Sequence, residues 1–330
     1  MFFRRNQFIV KNQQVVISGG SQGLGLEFAK ALFHRGAHVT IVARTVEKLQ
    51  NSIKEIEPFR VDKSQELSYI DADVSVYSGC ERVFNSLKRS PQIVLCCAGS
   101  SIPKLFLDLD GETLEDGIKV NYNTALFFSH AALKKMSQLD QVPEQKRHIL
   151  FFSSTVAFYS FIGYAQYAPL KAAIRNLADL LGQESIPYNV KISTIFPGNF
   201  ISEGFLEEQK TKPEITSIIE GPSNPISVSK CCEIILNQLD KGQSIVTTDS
   251  ITYVLHCLML GSSPRSHYLL QSLVGIVLIF LAPLLSWFMD RQVYDYFNKN
   301  PDLVPRSHTD NPSNELSVEN KIEQKKEKKL

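Results

Sequence analysis

Apolar and polar positions follow two periods along this chain. Short apolar runs closed by turn residues read as strands at Val15–Ser18, His38–Ala43, Leu67–Asp73, Ile93–Ala98, His148–Ser153 and Val190–Phe196. Between them, apolar residues recur at helical spacing in Gly23–Arg35, Val46–Glu57, Tyr77–Arg89, Leu114–Met136 and Gln166–Glu184. Strand and helix in alternation predict an α/β fold, a doubly wound parallel sheet with helices on both faces. Residues 199–225 mix prolines, glycines and charges and are expected to form a loop or lid. This catalytic domain is expected to occupy residues 1–249.

The pattern then changes. Tyr268–Met289 runs for 22 residues without a charge, and a bilayer span needs about 20. A buried core helix would read the same way, but a membrane-associated segment over 250–299 is the expectation. Trp287 would lie near an interface and Pro283 would kink the helix. Upstream, Ser250–Ser263 is nearly charge-free but short for a span, which favours an interfacial or re-entrant course. Residues 300–330 are polar, pass from prolines to lysines and read as a disordered tail.

Composition narrows the class. The 330 residues are 43% hydrophobic and 21% charged, enough for a packed core. A net charge of +1 leaves no electrostatic footprint for nucleic acid. Six cysteines, none in C-x-x-C, point to reduced thiols rather than to a metal site or a disulfide scaffold. The N-terminal stretch lacks an apolar core long enough for a signal peptide.

The stretch VVISGGSQGLGLEFAKAL admits two chemistries. Gly19-Gly20-Ser21-Gln22-Gly23 fits G-x-S-x-G, which would make Ser21 a hydrolase nucleophile. That elbow needs a carboxylate and then a histidine, and His256, His267 and His308 lie in apolar or tail-like surroundings. Gly19, Gly23 and Gly25 fit better as a tight turn between a strand and a helix N-terminus. There backbone N–H groups and the helix dipole hold a diphosphate. The next strand ends in Arg44, where an acid would bind an NAD ribose, and Lys48 follows one helical turn on. A guanidinium there matches a 2′-phosphate, so NADPH is the expected cofactor. Tyr167 and Lys171 are four apart and share one helix face. A lysine so placed is expected to lower the tyrosine pKa and ready it as a proton donor to a carbonyl. Pro169 fits if that helix has just begun.

The glycine spacing, with Ser18 before it and Tyr167-x-x-x-Lys171 after, resembles the short-chain dehydrogenase/reductase family over roughly residues 12–250. The resemblance implies a seven-stranded Rossmann-type sheet and a phosphate turn lined by Ser21 and Gln22. It implies that Ser154 hydrogen-bonds the substrate carbonyl, with adjacent Ser153 as fallback, and that Asn121 is a structural and relay residue. Asp73 would contact the adenine ring, Ala98-Gly99 the cofactor and Pro197-Gly198 the nicotinamide side. Cys96-Cys97 stand where the family has two asparagines, which removes any role of those side chains. The strings CCAGSSIPKLF, GYAQYAPLKAAI, PGNFISEGF and TKPEITSIIEGPS look like the fungal branch that reduces 3-keto sphingoid bases in sphingolipid synthesis. That branch implies a long-chain keto-sphingoid substrate, membrane lipid around it, and Phe200, Phe205 and Ile215 as a lid over the lipid chain. Homo-oligomers joined through two long helices are implied as well. Other lipid or steroid ketoreductases, or an idle NADPH-binding membrane scaffold, are the alternatives. The final residues fit K-x-K-x-x, a retrieval pattern of endoplasmic reticulum membrane proteins with a cytosolic tail. The catalytic domain is therefore expected on the cytosolic side of that membrane.

Overall fold

A computed structural model describes residues 8–139, 145–222, 224–259 and 266–300. The lysine-rich tail and its retrieval pattern lie outside the described residues. The first half comprises β1 (Gln14–Ser18), α1 (Gly23–His34), β2 (His38–Ala43), α2 (Val46–Ile56), β3 (Leu67–Asp71), α3 (Tyr77–Ser86) and β4 (Ile93–Cys96). The second half adds α4 (Gly111–Gly117), α5 (Thr124–Met136), β5 (Arg147–Phe152), α6 (Ala168–Glu184) and β6 (Val190–Phe196). Then follow β7 (Phe200–Ile201), α7 (Glu203–Thr211), α8 (Glu214–Glu220), β8 (Ile226–Ser227), α9 (Val228–Asp240), β9 (Ile245–Thr247), α10 (Ser250–Leu258) and α11 (Tyr268–Lys299).

Seven parallel strands form one sheet in the order β3-β2-β1-β4-β5-β6-β9. Side chains alternate across it with the period of an extended chain. Val15, Ile17, Ile41, Leu95, Leu150 and Phe152 face α1, α2 and α9 in one core. Val16, Val42, Val94, Cys96, Ile149 and Phe151 face α3, α5 and α6 in the other. Phe28, Phe33, Phe128 and Phe151 are fully buried, and each stabilises the fold by about 1.5–3 kcal/mol through lost apolar area. The order reverses between β1 and β4, and in such sheets ligands bind at the carboxyl ends beside that reversal.

Several segments depart from the sequence reading, among them the helices α9 and α10, which it did not include. The helix expected over Leu114–Met136 is broken: a π-helical turn, Ile118–Asn123, separates α4 from α5. Residues 199–225 are not an open loop but carry α7 and α8, with Ser202 capping α7 by accepting from the Phe205 amide. The seventh strand, β9, is three residues long and completes the sheet beyond β6.

The chain divides into two compact units, Met1–Ala282 and Pro283–Leu330. α11 runs from one into the other, unbroken at Pro283. Its stretch Tyr268–Val293 is long and apolar enough to cross a bilayer. Leu269, Ile276, Val277 and Phe280 are exposed, which a soluble core helix would not tolerate, so this is a membrane-associated segment. In the second unit the charges return: the Arg291 guanidinium stacks over Trp287 at 5.6 Å and pairs with Asp295 at 3.8 Å.

Candidate active site

The strand ends at the sheet reversal build the first half of the cleft. Gly19 has φ +69°, a left-handed conformation, and donates its amide to the Val42 carbonyl at 2.9 Å. A Cβ on Gly19 would lie 2.9 Å from Ala98, and one on Gly25 would strike the Gly19 carbonyl. The turn therefore lies close against the end of β4 and leads directly into α1. Its other members are pinned as well: Ser52 donates to the Ser21 carbonyl at 3.0 Å, and Lys48 donates to Gln22 at 2.8 Å. Arg44 and Asp73 stand exposed beyond β2 and β3. Burial pushes the Asp73 carboxyl up, but hydrogen bonds from Ser75 and the nearby Arg44 charge bring it below the usual range. Ser21 thus belongs to a backbone cradle, while His256, one of the histidines available to the hydrolase reading, bonds buried Gln271 at 3.1 Å.

The second half gathers the reactive side chains. Tyr167 precedes the first turn of α6, and Pro169 falls within that turn, where a missing amide costs little. The half-buried Tyr167 hydroxyl hydrogen-bonds the Ser154 side chain. The Lys171 Nζ lies 5.2 Å from the centre of the Tyr167 ring and donates to the Phe152 carbonyl at 2.9 Å. Asn121, fully buried, accepts from the Ser100 amide at 3.1 Å and donates to its carbonyl at 2.8 Å. A Cβ on Gly99 would meet Asn121 Oδ1 at 3.0 Å and Lys171 Nζ at 3.3 Å, so these three residues converge after β4. The π-helical turn holds Asn121 in this position, in keeping with the frequency of such turns at functional sites.

Three expectations are corrected. Ser153 is no fallback for Ser154: its hydroxyl is buried and donates to the Lys171 carbonyl at 2.7 Å, tying α6 to β5. The Tyr167 pKa is not lowered. Burial raises it, the Glu208 charge raises it further, and the Ser154 hydrogen bond only partly offsets them. Burial also brings Lys171 down from 10.5 to about 8, with a smaller opposing effect of Cys97. Of the lid residues, Phe200 packs toward the sheet core and Ile215 is buried, while Phe205 lies half-buried, 5.9 Å from Lys212 Nζ. Cys96 and Cys97 fall on opposite sheet faces, and burial pushes both thiols up, so they are packing groups.

Pro197 and Gly198 face the C-terminal side of the site. Thr155 donates to the Pro197 carbonyl at 3.2 Å, and the Gly198 amide donates to Thr248 at 2.9 Å. Thr155 also bonds Thr252 of α10 at 2.6 Å.

Helices α7 and α8 carry a polar network that the sequence reading missed. The Tyr164 hydroxyl donates to Glu208 Oε1 at 2.6 Å. Lys212 bridges Glu208 Oε1 at 3.2 Å and Glu220 Oε2 at 2.8 Å, and Asn199 donates to Glu220 Oε1 at 2.6 Å. The available signal was the spacing of Glu208 and Lys212, four apart on one helical face.

The model of the short chain dehydrogenase family matches residues 13–213. A 3-ketodihydrosphingosine reductase of Debaryomyces hansenii is 44% identical over 305 residues, covering 90% of this chain and 93% of that protein. The corresponding Yarrowia lipolytica protein is 41% identical over 309 residues, covering 92% and 82%. The Saccharomyces cerevisiae protein of the same description is 38% identical over 297 residues, covering 82% and 90%. Among solved structures, a short-chain dehydrogenase from Sphingobium yanoikuyae in complex with NADPH aligns with a TM-score of 0.61 at 19% identity, covering 71% of this chain and 87% of that one. A levodione reductase gives 0.63 at 19%, covering 72% and 96%. Those structures share the fold.

Proposed function

The chain belongs to the short chain dehydrogenase family, and from that premise we propose that it reduces the C3 carbonyl of 3-ketodihydrosphingosine to dihydrosphingosine with NADPH. The observation that carries the reading is the Ser154–Tyr167–Lys171 arrangement, set beside a glycine turn that lies close against the end of β4. That turn fits the cofactor: its backbone is pressed against β4 where side chains would intrude, and α1 opens directly behind it. Arg44 and Lys48 would hold the 2′-phosphate end. Bound NADPH supplies the hydride.

The chain's own residues supply the rest. Tyr167 is a phenol at neutral pH, as its ordinary pKa of about 10 already dictates, so its proton is present to pass to the carbonyl oxygen. Ser154 hydrogen-bonds the same oxygen and orients it. Lys171, cationic below about 8, stabilises the phenolate left behind. Asn121 holds the Ser100 backbone and with it the Ala98-Gly99 floor. The exposed apolar face of α11 keeps the chain at the bilayer, where a long-chain ketone resides. We assign that bilayer to the endoplasmic reticulum, with the site on the cytosolic side, on the strength of the relatives' lipid substrate.

Purified protein in lipid vesicles should consume NADPH with 3-ketodihydrosphingosine, with NADH and short-chain ketones far poorer. Equal turnover of short-chain or steroid ketones would end the sphingoid assignment. Sealed microsomes should reduce the substrate with externally added NADPH; activity that appears only after detergent would reverse the orientation.

A further inference from the structure

The lid network is electrically unbalanced. Lys212, its side chain only 4% exposed, is shared by two carboxylates that are each 17% exposed. Two negative charges against one positive leave a net charge of −1 in a largely dry place. The carboxylates are not equivalent. Both oxygens of Glu220 are engaged, one by Asn199 and the other by Lys212. Glu208 accepts a hydrogen bond from Tyr164 on Oε1 and forms an ion pair with Lys212 at 3.2 Å, and among the described residues no hydrogen bond is made to its Oε2. A carboxylate has about four acceptor positions, so capacity remains. Lys212 and Tyr164 hold this group in place, and the Tyr164 ring lies 6.3 Å from that of Tyr167.

We infer that Glu208 is the acceptor for the substrate's ammonium: Oε2 takes the C2 amine while Tyr167 addresses the adjacent C3 oxygen, so the lid selects α-amino ketones over neutral ketones. The inference rests on the proposed reduction of a keto-sphingoid base, whose amine is one carbon from the reacting carbonyl. The charge bookkeeping agrees. The Glu208 charge acts on Tyr167 and opposes its ionisation. A bound ammonium would cancel that charge when Tyr167 must give up its proton. Glu208 is a specificity residue here: it holds the amine, and Tyr167 transfers the proton.

The test compares two long-chain ketones of equal length, 3-ketodihydrosphingosine and its analogue lacking the amine, in wild type and in Glu208→Gln. Wild type should favour the amine by about 10- to 100-fold in kcat/KM, the range of one charge-assisted hydrogen bond. In Glu208→Gln that ratio should collapse toward one, mainly through KM for the amine. Tyr164→Phe, which leaves the carboxylate charged, should retain most of it. A Glu208→Gln enzyme that keeps the ratio, or loses both activities in proportion, overturns the inference. Should that variant fail to fold, wild type alone decides, since equal kcat/KM on the two ketones overturns it too. Wild type that reduces neither ketone defeats the reductase reading instead.

Discussion

The two halves of the cleft are made of different material. The cofactor half is mostly backbone: Gly19 and Gly25 leave no room for a side chain, and Ser52 and Lys48 lock the turn around them. The half proposed for the substrate is mostly side chains, with two short helices held by Tyr164, Glu208, Lys212 and Glu220. A backbone cradle demands particular residues at particular spacings, so it leaves a motif. A side-chain network joins residues across 44 positions of sequence, as Tyr164 and Glu208 do, and leaves almost none.

The comparison can be broken most severely where the halves meet. Tyr167→Phe removes the proton that this arrangement transfers to the carbonyl. The kcat/KM for ketone reduction should fall at least a hundredfold, within the roughly 10²–10⁴ range of general acid catalysis, while NADPH binding by fluorescence stays intact. Retained turnover would mean that the proton comes from elsewhere. Gly19→Val tests the cradle: its positive φ and the 2.9 Å approach to Ala98 make a Cβ costly. Thermal melting should show a loss of about 1–3 kcal/mol, and NADPH should no longer raise the midpoint.

Smaller effects sharpen it. Arg44→Ala should weaken the use of NADPH by about 10- to 100-fold and leave NADH use nearly unchanged. Equal losses would remove the 2′-phosphate role. Lys171 is lowered to about 8 in the folded chain, so it loses its charge as pH rises through that value. Because kcat/KM reports the free enzyme, the reductive rate should decline above about pH 8. Lys171→Arg should be slower but lack this limb, because a guanidinium stays charged. Last is the exposed Lys48–Glu203 pair at 3.6 Å, which joins the two halves directly. Glu203→Ala should shift stability by no more than about 1 kcal/mol.

The same division explains what could be read in advance. Five of the six strands were legible because buried parallel strands are near-continuous apolar runs; β3, with the sequence LSYID, lies at the sheet edge with no fully buried residue. β9 escaped because Ile245–Thr247 is too short to show a period. α7 and α8 were hidden by Pro213 and the charges around it, since they are held by a Ser202 cap and the Lys212 bridge rather than by wide apolar faces. Tyr167, Lys171, Ser154 and Asn121 do come together, as their spacing and family resemblance implied. The upward shift of Tyr167 could not be foreseen: it depends on burial and on a carboxylate 41 residues downstream, Glu208.

The wide turn at Ile118–Asn123 has a further consequence. An ordinary helix advances about 100° per residue, so its azimuth is fixed throughout once one face is docked. Here the rod must satisfy two masters, with Phe128 and Met136 seated on the sheet and Asn121 clasping Ser100. One surplus residue rephases the upper part against the lower. Removing a single residue from that stretch should therefore swing the amide out of its clasp while the sheet-bound portion stays put.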